Sequence, residues 1–271
     1  MQLWIYWWNA IWLLRPGCSR LRTFLWFAVC VAGLTVRTDL LGVTSIVRAL
    51  GLHGRLYHRL LAHFHGTGVS LDEMSALWAQ VVLRLFPDPL RINGRLILVG
   101  DGIKVPKSGK KMPAVKLLHQ ESESNTKPEY IMGHSLQAVS VLVHAGKSVL
   151  AVPLATRIHE GLVWSNRHKR TLLDKMLALL AIVDIHEPFY FVADAYYASQ
   201  KIINGLLEQD HHLVTRVRSY STVVRNRNPL VFVPADGTTI NSLEVFKLVG
   251  LERSRRKLGC GAGNGITPIQ L

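Results

Sequence analysis

The chain has 271 residues, which by length corresponds to one large domain or two modest ones. Lys and Arg number 32 against 18 Asp and Glu, so the formal net charge is +14. A surface this basic favours a polyanionic partner: nucleic acid first, a membrane surface second, with a basic surface that binds neither as the third alternative. The three cysteines lack metal-finger spacing and support neither a disulfide framework nor a structural zinc site, which favours a reducing cytoplasm.

Two strongly apolar runs stand near the N-terminus, at residues 1–14 and 24–36. Neither reaches the ~20 residues that a membrane-spanning helix needs, and basic residues separate them. The second run predicts a buried core helix. The first run leaves three interpretations open: an interfacial helix, a packed helix, or sequence upstream of the true start.

Residues 37–86 show short amphipathic helical stretches broken by glycines. Ser70 followed by Glu73 is a capping box, which predicts the start of a helix that ends before the prolines at 87 and 89. We therefore predict a helical N-terminal unit over residues 1–88, with DNA binding as its candidate role.

The periodicity changes to a strand-like pattern after these prolines. The predicted order is a strand that ends at Asp101, a long loop to about Gly133, two hairpin strands joined by four residues, a helix, a strand that ends at Asp194, a helix and a fifth strand. In chain order, and leaving out the loops, the predicted strands and helices cover residues 95–100, 135–143, 148–157, 169–183, 188–193, 199–207 and 212–218. This succession predicts an α/β ribonuclease H-like domain over residues 89–220, a mixed sheet of strand order 3-2-1-4-5 with flanking helices. Residues 221–271 are interpreted as an incomplete or divergent segment.

Asp101 and Asp194 each follow a short hydrophobic strand. In the predicted sheet these two strands are parallel neighbours, so both carboxylates are expected to emerge side by side. Adjacent ionised carboxylates repel each other unless a cation lies between them, and Mg²⁺ prefers such hard oxygen ligands. The alternative for each residue taken alone is a turn role, particularly for Asp101 because Gly102 follows it.

Three segments carry a family resemblance: LVGDGIK at 98–104, KLLHQESESNTKPEY at 116–130 and FVADAYY at 191–197. They resemble bacterial insertion-sequence transposases of the DDE class. The resemblance implies that Asp101 and Asp194 are catalytic and bind Mg²⁺, for which Mn²⁺ is a surrogate. It further implies phosphodiester hydrolysis and strand transfer on double-stranded DNA, at transposon ends and target, by a homodimer with no small-molecule cofactor.

Basic residues crowd the loop after Asp101 and the segment before the long helix, where they are positioned to contact DNA phosphates. The predicted DNA-binding residues are Lys104, Lys107, Lys110, Lys111, Arg167, Lys169 and Arg170, with Lys116 and Arg157 beside them.

The resemblance also implies a third acid, a Glu with Tyr, Arg and Lys at fixed spacing, and this signature is absent from the sequence. Glu244 and Glu252 are the remaining candidates. We therefore expect a chain that is inactive or very weak, apparently truncated or altered at its C-terminal end, unless one of these two substitutes. The alternatives are a DNA-binding remnant without chemistry and, less favoured, a membrane-associated basic protein.

Overall fold

The structure is a computed structural model that describes residues 2–39, 42–107, 112–119, 129–159 and 170–216, and the backbone of 231–233. The chain forms two compact units. The first comprises Met1–Pro87 with Ile182–Asp184, and the second comprises Asp88–Ala181 with Ile185–Leu271.

The first unit contains five helices within its described residues. They are α1 (Gln2–Trp12), α2 (Leu21–Val36), α3 (Val43–Ala49), α4 (Leu56–His65) and α5 (Leu71–Leu85). The predicted core helix at 24–36 is confirmed as α2, which buries Phe24, Ala28 and Cys30. The capping box is confirmed at the start of α5, where Ser70 Oγ accepts a hydrogen bond from the Glu73 amide at 3.4 Å.

Aromatic packing fixes α1 to α2. The rings of Trp12 and Trp8 meet Phe24 edge to face, with centroids 5.3 and 5.9 Å apart, and Phe24 is fully buried. This burial supports the packed-helix interpretation of the first apolar run. Among the described residues, no helix combines the length and the apolar character needed to cross a bilayer.

The second unit is built on one mixed sheet, which has eight strands within the described residues. The strands are β1 (Arg91–Ile92), β2 (Arg95–Pro106), β3 (Lys116–His119), β4 (Tyr130–Ala145), β5 (Ser148–His159), β6 (Phe189–Ala193), β7 (His212–Arg216) and β8 (Val231–Val233). Helices α6 (Leu172–Val183) and α7 (Gln200–Leu207) connect the parallel strands β5 to β6 and β6 to β7 along the chain.

The predicted strand order 3-2-1-4-5 is confirmed by the pairing β5-β4-β2-β6-β7. β2 runs antiparallel to β4 and parallel to β6, and β6 runs parallel to β7. The sheet adds β1 beside β2, β3 on the same edge of β4 as β5, and β8 beside β7. This arrangement places the central strand β2 between β4 and β6.

The prediction that a loop begins at residue 101 is wrong. β2 continues through Asp101 to Pro106, because the long strand β4 supplies hydrogen-bonding partners as far as Gly133. A further strand, β3, lies inside the predicted loop. The four-residue hairpin connection is also wrong: Ala145 pairs with Ser148, which leaves a two-residue turn with Gly146 at φ 62°, where glycine is favoured.

The covering helix α6 confirms its predicted apolar stripe. Met176, Leu179, Leu180 and Val183 are buried at spacings of three and four residues. The predicted helix at 199–207 is α7, and its first turn is capped by Ser199, whose Oγ accepts from the Ile202 amide at 3.4 Å.

Candidate active site

Asp101 and Asp194 lie next to each other at the point where β6 ends beside β2. The parallel register aligns Val99 with Val192 and Gly100 with Ala193, and the two aspartates are the next residues on each strand. Aligned residues of parallel strands share a face, and neighbouring strands are ~5 Å apart. The two carboxylates therefore start from adjacent positions on the same side of the sheet, as the sequence predicted.

Asp101 is an exposed strand residue opposite Ala138 of β4. Its Oδ1 accepts a hydrogen bond from the Gly102 amide at 2.7 Å. The turn interpretation of Asp101 is wrong, because the chain remains extended for five more residues.

Asp194 is exposed as well, and its local backbone is strongly constrained. Its Oδ1 accepts from the Tyr196 amide at 3.0 Å and caps a short 3-10 turn, Ala195–Tyr197. Its carbonyl oxygen accepts two further hydrogen bonds, from the Tyr197 amide at 3.1 Å and from Thr215 Oγ1 at 2.7 Å. Asp194 therefore does have a turn role, which occupies one carboxylate oxygen.

Buried polar side chains support the turn that follows Asp194. Tyr197 is 3% exposed, and its hydroxyl accepts from Gln137 Nε2 at 3.3 Å, while the same nitrogen donates to the Leu172 carbonyl at 2.8 Å. Burial, with smaller contributions from the charges of Asp194 and Asp101, raises the pKa of Tyr197 to about 12, and the hydrogen bond from Gln137 opposes this rise. The tyrosine thus remains a neutral hydroxyl close to both carboxylates.

The sequence did not assign roles to Gln137 and Thr215. Both lie at buried positions of apolar strands, Gln137 at 3% and Thr215 at 8% exposure. A buried polar group requires a hydrogen-bonding partner, so a polar residue inside an apolar strand was the available signal. The partners themselves lie 21 to 60 residues away along the chain.

The pair fits a hard divalent cation. Within the described residues, no hydrogen bond or ion pair occupies Oδ2 of Asp101 or Asp194. One or two carboxylates together with water and substrate phosphates are typical ligands of Mg²⁺. The described part of the chain contains no group of three or more His, Cys, Asp or Glu side chains arranged to hold a metal. The two aspartates would thus form an incomplete protein ligand set.

The structure describes three of the seven predicted DNA-binding residues. Lys104, Lys107 and Arg170 are exposed, and Lys104 Nζ donates to the His119 carbonyl at 2.7 Å. Four of the predicted residues lie outside the described residues: Lys110, Lys111, Arg167 and Lys169. Glu244 and Glu252, the candidates for a third acid, also lie outside them.

A cluster of basic residues lies where β3 and β5 meet the same edge of β4. Lys116 pairs with Gly133 and His159 pairs with Ser135, so the two residues are close neighbours on one face. The pKa of His159 falls to about 4 through burial, with the charges of Lys116 and Lys175 adding to the effect. Burial and the charge of Lys175 also lower the pKa of Lys116. We call Lys116, His159 and Lys175 the basic cluster.

The sheet has the strand order that the sequence predicted, with Asp101 and Asp194 at neighbouring positions near its centre. Residues 17–239 match the family model described as DDE superfamily endonuclease. The chain therefore belongs to the DDE superfamily endonucleases.

The chain is similar to one in a cryo-EM structure of a piggyBac transposase synaptic complex with hairpin DNA, at 13% identity and a TM-score of 0.39. The similarity covers 73% of this chain and 44% of that chain, so this chain spans less than half the length of that one. A search of curated proteins finds no match.

Proposed function

We propose that this chain is a DNA transposase of the DDE class that hydrolyses phosphodiesters and transfers strands at transposon ends, with Asp101 and Asp194 as its Mg²⁺ ligands. The observation that carries the proposal is the parallel register of β2 and β6, which brings the two aspartates together. Membership of the endonuclease family and the charge of +14 support a DNA substrate.

The site has two groups of residues, one proposed to bind the metal and the other proposed to bind DNA. Asp101 and Asp194 would present Oδ2 to Mg²⁺ while backbone amides hold each Oδ1. When bound, two such ions activate an attacking oxygen and stabilise the leaving oxygen of a phosphodiester. We propose that the exposed Lys104, Lys107 and Arg170, together with Lys116 and Lys175 of the basic cluster, contact phosphates of the DNA backbone.

The third acid determines how active this chain is. Because a two-metal site lacking one ligand is severely impaired, we propose that the chain cleaves DNA weakly or not at all unless Glu244 or Glu252 completes the site. Mg²⁺-dependent cleavage of a cognate transposon end that persists in both Glu244→Gln and Glu252→Gln would contradict this. Loss of that cleavage in Glu244→Gln or Glu252→Gln would then identify the acid.

A second candidate function is DNA binding without catalysis. It rests on the net charge of +14 and the exposed basic residues alone. The two candidates share salt-dependent DNA binding and differ in whether the aspartates bind a metal.

Calorimetric titration of Mn²⁺, as a Mg²⁺ surrogate, tests the proposal. We expect saturable binding that is lost in Asp101→Asn and in Asp194→Asn, since each removes one of two carboxylate charges. Asp88→Asn is the matched control: Asp88 is exposed in the same unit and precedes β1, which pairs with the opposite end of β2. Binding that is absent, or equal in all variants, would leave DNA binding without catalysis as the better account.

A further inference from the structure

Hydrogen bonds from two neighbouring residues hold the backbone of Asp194. Thr215 Oγ1 donates to the Asp194 carbonyl at 2.7 Å from the neighbouring strand β7. The Tyr197 amide donates to the same carbonyl at 3.1 Å, so both of its lone pairs are used. The backbone orientation that aims the Asp194 side chain is thereby set from two directions.

The far end of the 3-10 turn is fixed by a second set of contacts. The Tyr197 ring packs edge to face against Phe191 of β6, with centroids 6.3 Å apart, and its hydroxyl accepts from Gln137. A β-carbon built on Gly102, the residue after Asp101, would lie 3.9 Å from that hydroxyl. The Tyr197 side chain is thus joined to the stretch of β2 after Asp101 through Gln137, which pairs with Gly102.

We infer that Thr215, supported by the Tyr197–Gln137 pair, is a positioning residue that holds Asp194 beside Asp101 for metal binding. This inference rests on the proposed function. Neither Thr215 nor Tyr197 hydrogen-bonds a carboxylate oxygen through its side chain within the described residues, so both act through the backbone of the turn. Groups that orient metal ligands in this way typically change metal affinity by about 10-fold to 100-fold when removed.

Two substitutions at position 215, one that removes the hydroxyl and one that removes the methyl group, separate positioning from packing. Thr215→Val keeps the shape of the side chain and removes the donor to the Asp194 carbonyl. Thr215→Ser keeps the donor and removes only a methyl group. A packing role predicts that serine is the more harmful substitution, whereas a positioning role predicts that valine is.

The experiment is Mn²⁺ titration of the full chain, followed by the electron paramagnetic resonance signal of the free ion. We expect Thr215→Val to weaken Mn²⁺ binding by about 10-fold or more and Thr215→Ser to stay within about threefold of the unchanged chain. Melting temperatures of the three proteins are measured alongside, because a purely structural role would lower the melting temperature and leave the affinity of the folded protein unchanged.

Tyr197→Phe provides a second variant should Thr215→Val fail to fold. It keeps the ring on Phe191, and Gln137 keeps its bond to the Leu172 carbonyl, so we expect a folded protein with weakened Mn²⁺ binding. Tyr196→Phe is its control, because Tyr196 contributes its amide and not its hydroxyl to Asp194.

Two failures are distinguishable. Binding that Asp194→Asn abolishes and that Thr215→Val and Tyr197→Phe leave intact overturns this inference alone, as does equal weakening by Thr215→Val and Thr215→Ser. Binding that is absent from the unchanged chain, or indifferent to Asp194→Asn, overturns the proposed function and this inference with it.

Discussion

Gly100 lies directly before Asp101, at a buried position of β2 between Val139 and Ala193. A β-carbon at this position would collide with the ring of Phe191. The ring can lie under β2 and reach Tyr197 only because Gly100 has no side chain. Gly100 thus allows Phe191 of β6 to contact Tyr197, which supports the turn after Asp194.

We expect Gly100→Ala to destabilise the fold by about 1–3 kcal/mol, the usual range for a side chain forced into a filled core. Urea unfolding at neutral pH measures this change. The control is Gly54→Ala, since a β-carbon at Gly54 meets nothing within 4 Å. Equal unfolding midpoints for the two variants would show that Phe191 moves aside without cost.

His159 of the basic cluster is expected to make the stability of the fold depend on pH. Its folded pKa of about 4 lies below the ordinary value of about 6.5, because burial and two lysine charges disfavour the protonated ring. The unfolded chain therefore binds a proton at higher pH than the folded chain does. Its contribution to stability is fully present above about pH 6.5 and is lost as pH falls towards 4.

Stability should therefore fall as the pH is lowered from 7 to 5, and less steeply in His159→Gln. Urea midpoints at pH 7, 6 and 5 provide the measurement, with the exposed His144→Gln as control. Some slope will remain in His159→Gln, because burial also lowers the pKa values of His63 and His211. A slope identical to that of the unchanged chain would exclude His159 as a contributor.

At the scale of elements, the strands and helices that show a regular pattern within a single segment were predicted well. The apolar stripe of α6 and the short buried run of β6 depend on local periodicity, and both are present in the structure. The end of β2 was not predictable in this way. Its second half, Gly102 to Pro106, is mostly exposed and is held as a strand by the backbone of β4.

The aspartate pair was predictable because it requires only the order and direction of two neighbouring strands, and not the point at which β2 ends. Its support was not predictable, because Gln137, Tyr197 and Thr215 come from three elements and meet only after the sheet has formed. A glycine inside the otherwise apolar run of β2 was a usable signal, since such a residue often marks a close approach of another group.

The N-terminal cap of α6 is the element on which the next prediction depends. The Thr171 amide and hydroxyl donate to Asp174 Oδ2 at 2.7 and 2.8 Å, and the Asp174 amide donates to Thr171 Oγ1 at 3.3 Å. Lys201 of α7 donates to the other carboxylate oxygen at 2.7 Å, which joins the two helices. Hydrogen bonds from Lys201 and Thr171 lower the pKa of Asp174 to about 2.

Thr171→Ala should lower the stability of the fold by about 0.5–2 kcal/mol, the usual effect of removing such a cap. Thr171→Ser keeps the hydroxyl and should stay close to the unchanged chain. Urea unfolding of both variants at pH 7, where Asp174 is ionised, checks this. An alanine variant as stable as the serine variant would show that the cap does not limit the stability of α6.

At the scale of the whole molecule, the charge of +14 has to be matched by a partner or screened by salt. A chain that binds DNA through several lysines and arginines releases the same number of counterions from the phosphates. Its affinity therefore falls linearly with salt on logarithmic axes, by roughly 0.9 per phosphate contact.

We expect binding to a DNA duplex to show this steep dependence between about 50 and about 200 mM KCl. Replacing Lys116 and Lys175 of the basic cluster by Gln should make the salt dependence shallower, by the amount that roughly two phosphate contacts contribute. Lys147→Gln is the matched control, because Lys147 is exposed in the hairpin turn at the far end of β4. A slope near zero for the unchanged chain would refute the proposed phosphate contacts. A slope that falls by the same amount per removed charge in the control would mean that the lysines act through total charge, because a phosphate contact is specific to its position.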